Sequence, residues 1–398
     1  LAPILAPMLG GLLVNTTGWQ SIFLVLTGFS ALAGLAVALG LPELRAGIAA
    51  LYKRWYGVEL NPERVVVTAG SSAAFLLAFT ALFDAGDRVA LGEPGYPSYR
   101  QILRALSLEP VGIPASEANR LQPVPADLEG VAMRGLIVAS PGNPSGTMLS
   151  REALADLIGF CDQRGVSFVS DEIYHGLHYG DRAVSALEIS DDVYVINSFS
   201  KYFSMTGWRI GWMVLPQELV RPVECVAQSL YISAPELSQI AALAALSATD
   251  ELEHYKAACQ ANRDFLMARL PALGLPLLSP MDGAFYAYVD ATRYTNDSMA
   301  FARRMLAEID VATTPGMVMV PGNPAAFTKM ADPRRYIDPS YMEKHFATLY
   351  GGSTEGATGH TGRITPPSKI GYFYQLLAML GWTSAPFLPF MNKPTLVL

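Results

Sequence analysis

The sequence predicts an α/β protein built on a mostly parallel β-sheet, and two patterns lead to this prediction. Short runs rich in β-branched residues recur between residues 64 and 214, and stretches of helical length separate them. Apolar strands that alternate with helices are typical of a parallel sheet covered by helices on both faces. The expected strands are Arg64–Thr68, Arg88–Leu91, Gly135–Ala139, Val166–Ser170, Val193–Asn197 and Ile210–Val214.

Three helices are expected before and between these strands. Leu44–Tyr56 carries charged residues on one side and apolar residues on the other, as an amphipathic surface helix does. Ser71–Phe83 and Ser150–Arg164 have helical length and period and each follows a strand. The order of elements is therefore that of a doubly covered sheet, in which ligands bind beyond the carboxyl ends of the strands.

Composition narrows the class of protein. The chain has 398 residues, enough for two or three domains, and its 51% hydrophobic content excludes a disordered protein. A formal net charge of −7 argues against nucleic acid as a partner, because phosphate binding needs an excess of cations. The three cysteines form no CxxC pair and indicate reduced thiols in the cytoplasm. The sequence has no HExxH motif or Cys/His cluster, so we expect no metal site, and we interpret His175 and His178 as polar lining or surface residues.

We expect three parts in the chain, residues 1–42, 43–316 and 317–398, and the lack of charge sets the first of them apart. No Asp, Glu, Lys or Arg precedes Glu43, and Ile22–Leu41 is an apolar run of the length that spans a bilayer as a helix. We therefore expect extra hydrophobic helices in residues 1–42 and membrane contact through them. The alternative is a buried helix of a large soluble core.

Residues with chemical function follow the predicted strands. Gly70, Ser71 and Ser72 open a helix after the first strand, and small and hydroxyl residues at a helix start form an anion site. The later strands are followed by an aromatic turn, an amide in a tight turn, an acid and an amine. These residues are Tyr96, Asn143, Asp171, Tyr174, Ser198, Ser200, Lys201 and Arg209.

Pyridoxal 5′-phosphate is a cofactor that needs all of these groups. Its aldehyde condenses with a lysine amine, its ring nitrogen needs a carboxylate, and its phosphate needs donors. Asn143 precedes Asp171 by 28 residues, Asp171 precedes Lys201 by 30, and Lys201 precedes Arg209 by 8. This pattern resembles the class I/II aminotransferases of fold type I over about residues 44–316.

The resemblance implies a role for each matching residue. Lys201 would hold the cofactor as a Schiff base and then shuttle the proton, and Asp171 would pair with the ring nitrogen. Tyr174 and Asn143 would hydrogen-bond the ring hydroxyl oxygen, and Tyr96 would stack on the ring. The catalytic residues would thus be Lys201, Asp171 and Tyr174. The phosphate would lie at the helix start after Gly70, held by Ser71, Ser72, Ser198, Ser200 and Arg209.

The resemblance also implies a fold and an activity. It implies the three-layer large domain of fold type I, with an incomplete small domain that starts near Met281–Tyr286. The implied enzyme moves an amino group between an amino acid and a 2-oxo acid and is a homodimer. The family's arginine for the substrate carboxylate cannot be identified, since the resemblance stops near Gly316 and the residues around Arg334 and Arg335 do not match.

Both ends of the chain resemble other families. Ala2–Gly11 followed by Gly18–Phe23 resembles a drug-efflux transporter of the major facilitator class. Leu349–Gly352, Gly371–Leu377 and Pro394–Leu398 resemble part of an α/β-hydrolase, although no GxSxG motif is present. Three interpretations follow: an active transaminase, a chimeric or truncated protein that binds pyridoxal phosphate without turnover, or a membrane-associated protein with a vestigial enzyme core.

Overall fold

Seven β-strands form one sheet at the centre of the computed structural model, which describes residues 42–316. Across the sheet their order is β1, β7, β6, β5, β4, β2, β3. The strands are β1 Val65–Thr68, β2 Arg88–Glu93, β3 Glu109–Pro114, β4 Gly135–Ala139, β5 Ser167–Asp171, β6 Tyr194–Ser198 and β7 Gly211–Val214.

The sheet is mostly parallel, as the sequence predicts. Only β7 runs against its neighbours β1 and β6, and the other adjacent strands pair in parallel. The reversal has a consequence for the site, because the amino end of β7 lies beside the carboxyl end of β6. Arg209, which precedes β7, is thereby brought to the edge where Ser198 ends β6.

Strand β3 was not predicted from the sequence. It forms the outer edge of the sheet and pairs in parallel with β2, with Glu109 opposite Arg88. Its sequence contains Pro110, Gly112 and Pro114, residues that usually weaken a strand. Proline is tolerated at an edge because its missing N–H can face away from the sheet.

Nine α-helices surround the sheet in residues 42–316. The three predicted helices are present, with small differences at their ends. The helices are α1 over 42–56, α2 Ser71–Leu82, α3 Pro97–Ala105, α4 Pro125–Leu128, α5 Arg151–Asp162, α6 Gln217–Tyr231, α7 Glu236–Ala245, α8 Thr249–Ala272 and α9 Ser298–Ile309.

Two hydrophobic cores cover the two faces of the sheet and give three layers. Successive strand residues point to opposite faces, so Val195 packs in one core and Ile196 in the other. The first core joins the sheet to helices α1 and α5, and the second joins it to α2 and α6. The sheet is therefore buried on both sides, and its carboxyl edge is where polar side chains can meet a ligand.

The expectations for the chain ends concern residues outside the described part. The hydrophobic helices expected in residues 1–42 and the hydrolase-like segment 317–398 both fall there, with Pro42 as the sole exception. Among residues 42–316, no helix has the length and apolar character needed to cross a membrane.

Candidate active site

Asp171 is a buried carboxylate at the carboxyl end of β5. Its side chain is 3% exposed, and its oxygens accept hydrogen bonds from the backbone N–H of Ile173 at 3.0 Å and from the hydroxyl of Tyr99. Burial raises the pKa of Asp171 to about 6, although these two hydrogen bonds and the charge of Lys201 lower it. The buried carboxylate has lost its contact with water, and its hydrogen bonds make up for only part of that loss. A cationic group bound beside Asp171 would therefore stabilise its charged form.

Lys201 interacts electrostatically with that acid and with the guanidinium of Arg209. Burial lowers the pKa of the Lys201 amine, the charge of Asp171 raises it, and the charge of Arg209 lowers it further. The Nζ atom is 5.5 Å from the centre of the Tyr174 ring and 5.3 Å from that of Phe285. A partly buried amine with a lowered pKa is more often unprotonated, so Lys201 is suited to act as a nucleophile.

Gly70 and Arg209 meet at the start of α2 and form a candidate anion site. Gly70 precedes the helix with φ 84°, and the first N–H groups of a helix lack internal partners. The Arg209 Nη2 atom points at Gly70 so closely that a Cβ there would lie 2.5 Å from it. A cation above a helix N-terminus, with Ser71 and Ser72 in the first turn, suits a phosphate group.

Two buried serines border this anion site. Ser198 ends β6, and its Oγ is 2.8 Å from the Oγ of Ser200. Arg209 Nη1 is 3.5 Å from Ser200 Oγ and donates to the Thr206 carbonyl at 2.9 Å, which fixes the guanidinium. Gly211 permits the close packing here, since a Cβ would lie 3.1 Å from the Ser71 nitrogen.

Tyr174 and Asn143 meet through a third residue. The Tyr174 hydroxyl is hydrogen-bonded to the Tyr286 hydroxyl, to which Asn143 Nδ2 also donates at 3.2 Å. The Asn143 Oδ1 atom is buried and has no hydrogen-bond partner within residues 42–316. An unpartnered buried polar atom at a strand-end cluster is typical of a ligand site.

Tyr96 forms an open side of the site. It immediately precedes helix α3, is 38% exposed, and packs edge-on against Tyr99 with ring centres 5.4 Å apart. The exposed ring is available for contact with a bound aromatic group.

Sequence reasoning missed two residues of this cluster. Tyr99 lies in the first turn of α3, three residues after Tyr96, and the two rings are in contact. Tyr286 belongs to a segment noted in the sequence only as the start of a small domain. The three-residue spacing from Tyr96 could have indicated Tyr99. Tyr286 lies more than 80 residues beyond Lys201, and no pattern near it in the sequence indicates its contact with the site.

His175 is 2% exposed, so its interpretation as a surface residue was wrong. Its Nε2 is 2.8 Å from the Ser140 carbonyl, and its Nδ1 is 2.7 Å from the Tyr56 hydroxyl. Burial lowers the pKa of His175 to about 3, so the ring is neutral. Since a carbonyl only accepts, Nε2 carries the hydrogen and Nδ1 accepts from Tyr56. His175 therefore ties α1 to the turn after β4.

The residues at this edge fit pyridoxal 5′-phosphate. The anion site suits its phosphate, the buried Asp171 suits a protonated ring nitrogen, and the Lys201 amine suits its aldehyde. The unpartnered amide oxygen of Asn143 lies beside the same cluster.

Known aminotransferases are similar to this chain in sequence and in fold. The family model described as aminotransferase class I and II matches residues 29–324. A valine–pyruvate aminotransferase of Mycobacterium tuberculosis is 47% identical over 290 residues, 71% of this chain and 75% of the relative. An aspartate aminotransferase of Thermotoga maritima is 32% identical over 323 residues, 79% of each chain.

Solved structures agree with this result. The crystal structure of an aminotransferase described as putative, from Silicibacter pomeroyi, has 57% sequence identity and a TM-score of 0.70, covering 73% of this chain and 79% of that one. An aminotransferase from Mycobacterium tuberculosis has 47% identity and a TM-score of 0.69, covering 71% of this chain and 75% of that one. Since the family match covers more than half of the sequence, the chain belongs to the class I and II aminotransferase family.

Proposed function

We propose that Lys201 binds pyridoxal 5′-phosphate covalently and that this site transfers an amino group between an amino acid and a 2-oxo acid. Family membership establishes the aminotransferase activity and the use of pyridoxal 5′-phosphate. The roles of individual residues are the proposal. The observation that carries it is the Lys201 amine, whose Nζ lies 5.5 Å from the centre of the Tyr174 ring and which interacts electrostatically with both Asp171 and Arg209.

The cofactor, when bound, supplies an aldehyde and a ring that withdraws electrons from the substrate. Asp171 would keep the proton on the ring nitrogen. Burial raises the pKa of Asp171 when no cation is bound beside it, so we expect a protonated ring nitrogen to pair with it strongly. The Lys201 amine would move the proton at the substrate α-carbon. Tyr174 and Asn143 would hold the ring hydroxyl oxygen.

The phosphate end fixes the orientation of the cofactor. Arg209 supplies a charge-assisted contact, and the first turn of α2 with Ser71 and Ser72 supplies backbone donors. Gly70, Ser198 and Ser200 would complete the anion site, and the exposed ring of Tyr96 would pack on the cofactor ring. These contacts hold the reacting carbon near Lys201, and such positioning accounts for a large part of catalysis.

Valine and pyruvate are the first substrates to assay. The Mycobacterium tuberculosis relative, at 47% identity, is named for this pair, whereas the Thermotoga maritima relative at 32% is named for aspartate. Loss of the cofactor absorbance on mixing with valine, and its return with pyruvate, would support the proposal. A cofactor-loaded protein whose absorbance no amino acid changes would favour the alternative of binding without turnover.

A homodimer is part of the proposal. Large apolar side chains are exposed where α6 ends and α7 lies, and Ile232 is 84% exposed. Such a patch is typical of an interaction surface, and family members are typically dimers. The patch contains Leu230, Ile232, Leu237 and Ile240. Sedimentation velocity would test it, since a monomer at micromolar concentration would contradict this part of the proposal.

The division into residues 1–42, 43–316 and 317–398, with membrane contact through the first part, stays a prediction. Homogeneous protein without detergent would contradict the membrane contact. The cytoplasmic location also stays a prediction, and it rests on Cys161, Cys225 and Cys259, which are free in the structure.

A further inference from the structure

The hydroxyl of Tyr286 links two residues assigned to the cofactor. It is hydrogen-bonded to the Tyr174 hydroxyl and accepts from Asn143 Nδ2 at 3.2 Å. Tyr174 and Asn143 come from the loops after β5 and β4, and Tyr286 comes from the segment between α8 and α9. The three groups thus form one chain of hydrogen bonds drawn from three parts of the sequence.

Counting hydrogens suggests the direction of this chain. The Asn143 amide nitrogen can only donate, so the Tyr286 oxygen accepts from it. Tyr286 can then give its own hydrogen to the Tyr174 oxygen, since either hydroxyl can be the donor in that pair. Donation in this direction leaves the Tyr174 hydrogen free for the ring oxygen of the cofactor.

We propose that Tyr286 is a positioning residue that donates to Tyr174 and strengthens Tyr174 as a donor to the cofactor's ring oxygen. This inference rests on the proposed function, because it assigns Tyr174 to that oxygen. A hydroxyl that accepts a hydrogen bond is polarised and donates more strongly, and the effect is larger in a poorly solvated site.

The segment that carries Tyr286 is held firmly against the strand-end loops. Ala284 is fully buried with φ 57°, a left-handed conformation that a residue with a Cβ adopts only when its surroundings impose it. Hydrogen bonds to the loops after β4 and β5 impose it here. They join Gly283 N to Gly146 O, Ala284 N to Leu177 O, Tyr179 OH to Ala284 O, and Ser279 Oγ to Ser145 O.

Aromatic packing fixes the Tyr174 ring as well. Phe285 and Tyr286 each pack edge-on against it, both with ring centres 5.6 Å apart. Burial raises the pKa of Tyr174 and of Tyr286, so both phenols remain protonated and able to donate. The geometry therefore presents a neutral hydroxyl in a fixed place, with a second hydroxyl behind it.

Loss of the Tyr286 hydroxyl should be visible in the absorbance of the bound cofactor. The ring oxygen accepts a hydrogen bond from the protonated nitrogen that joins the cofactor to Lys201. A second hydrogen bond, donated by Tyr174, weakens that interaction. With a weaker donor at Tyr174, the nitrogen therefore keeps its proton to a higher pH, and the absorbance changes at that higher pH. For Tyr286→Phe we expect this pH to rise by about half a unit to one unit. We also expect cofactor affinity to fall about threefold to tenfold, with the bond to Lys201 retained.

The experiment is a spectrophotometric pH titration of cofactor-loaded protein with single and double variants. Tyr288→Phe is the matched control, because it removes a phenol hydroxyl from the same segment outside this hydrogen-bond chain, and it should titrate as the wild type does. Tyr174→Phe should shift the pH further. Adding Tyr286→Phe to Tyr174→Phe should change nothing more, since Tyr286 acts through Tyr174.

Two outcomes would overturn the inference while the proposed function stands. One is an unchanged titration in Tyr286→Phe, and the other is an equal shift when it is added to Tyr174→Phe, which would mean that Tyr286 acts independently. If the wild-type protein shows no Lys201-linked absorbance at all, the proposed function itself fails, and the inference fails with it.

Discussion

Replacing Gly70 by alanine tests the anion site directly. Gly70 has φ 84° and ψ 169°, a region that is open almost only to glycine. A Cβ there would lie 2.5 Å from Arg209 Nη2, whereas ordinary contact begins at 3.4 Å. The guanidinium must therefore retreat by about 0.9 Å, away from the first turn of α2.

The expected effect has two parts. Backbone strain should lower the free energy of unfolding by about 1–3 kcal/mol. Displacement of Arg209 should weaken a charge-assisted hydrogen bond to phosphate worth about 1.5–3 kcal/mol. Since about 1.4 kcal/mol corresponds to a factor of ten, cofactor affinity should fall about 10-fold to 100-fold.

The assay is a titration of cofactor-free protein with pyridoxal 5′-phosphate, followed by absorbance, beside urea unfolding of the same samples. Gly86→Ala is the matched control, because Gly86 has φ 90° and a Cβ there would meet open space. It should lose stability but keep its affinity for the cofactor. An affinity within twofold of wild type in Gly70→Ala would refute the placement of the phosphate between Gly70 and Arg209.

Three further substitutions test Asp171, its neighbour Glu172, and Lys201. Asp171→Asn should slow the reaction with an amino acid by about 100-fold or more in rapid mixing, and an unchanged rate would contradict the electron-withdrawing role. Glu172→Gln tests pH dependence. Burial raises the pKa of Glu172 to about 8, so native-state stability associated with its proton is lost as pH rises from about 4.5 to 8. The variant should therefore gain free energy of unfolding relative to wild type across that interval in urea titrations, and a constant difference would be inconsistent with the raised pKa. Lys201→Ala should lose the absorbance of the covalently bound cofactor, and its persistence would refute the assignment.

Much of the fold and of the site could be predicted, because the strands and the chemically functional residues that follow them lie close together in the sequence. The parallel sheet followed from short β-branched runs, and a parallel sheet gathers residues such as Asp171 and Lys201 at one edge. Their chemistry then indicated the ligand. Those positions are local in sequence, since each lies at or within a few residues of a strand end.

The rest depended on contacts that sequence pattern does not record. Edge strand β3 contains two prolines and reads as a loop, although an edge position tolerates them. Tyr286 reaches Tyr174 over 112 residues, through a backbone conformation at Ala284 that no periodicity indicates. His175 looked polar enough for the surface, yet Ser140 and Tyr56 satisfy both ring nitrogens in the interior.

The central claim is that the Lys201 amine bonds the cofactor, and borohydride reduction followed by peptide mapping tests it most directly. Reduction fixes the cofactor on the amine that holds it, and mass spectrometry of the digest identifies that amine. The account predicts a single modified peptide containing Lys201 in the loaded wild-type protein. Modification of another lysine such as Lys256, or no modification of a protein that still binds the cofactor, would contradict it.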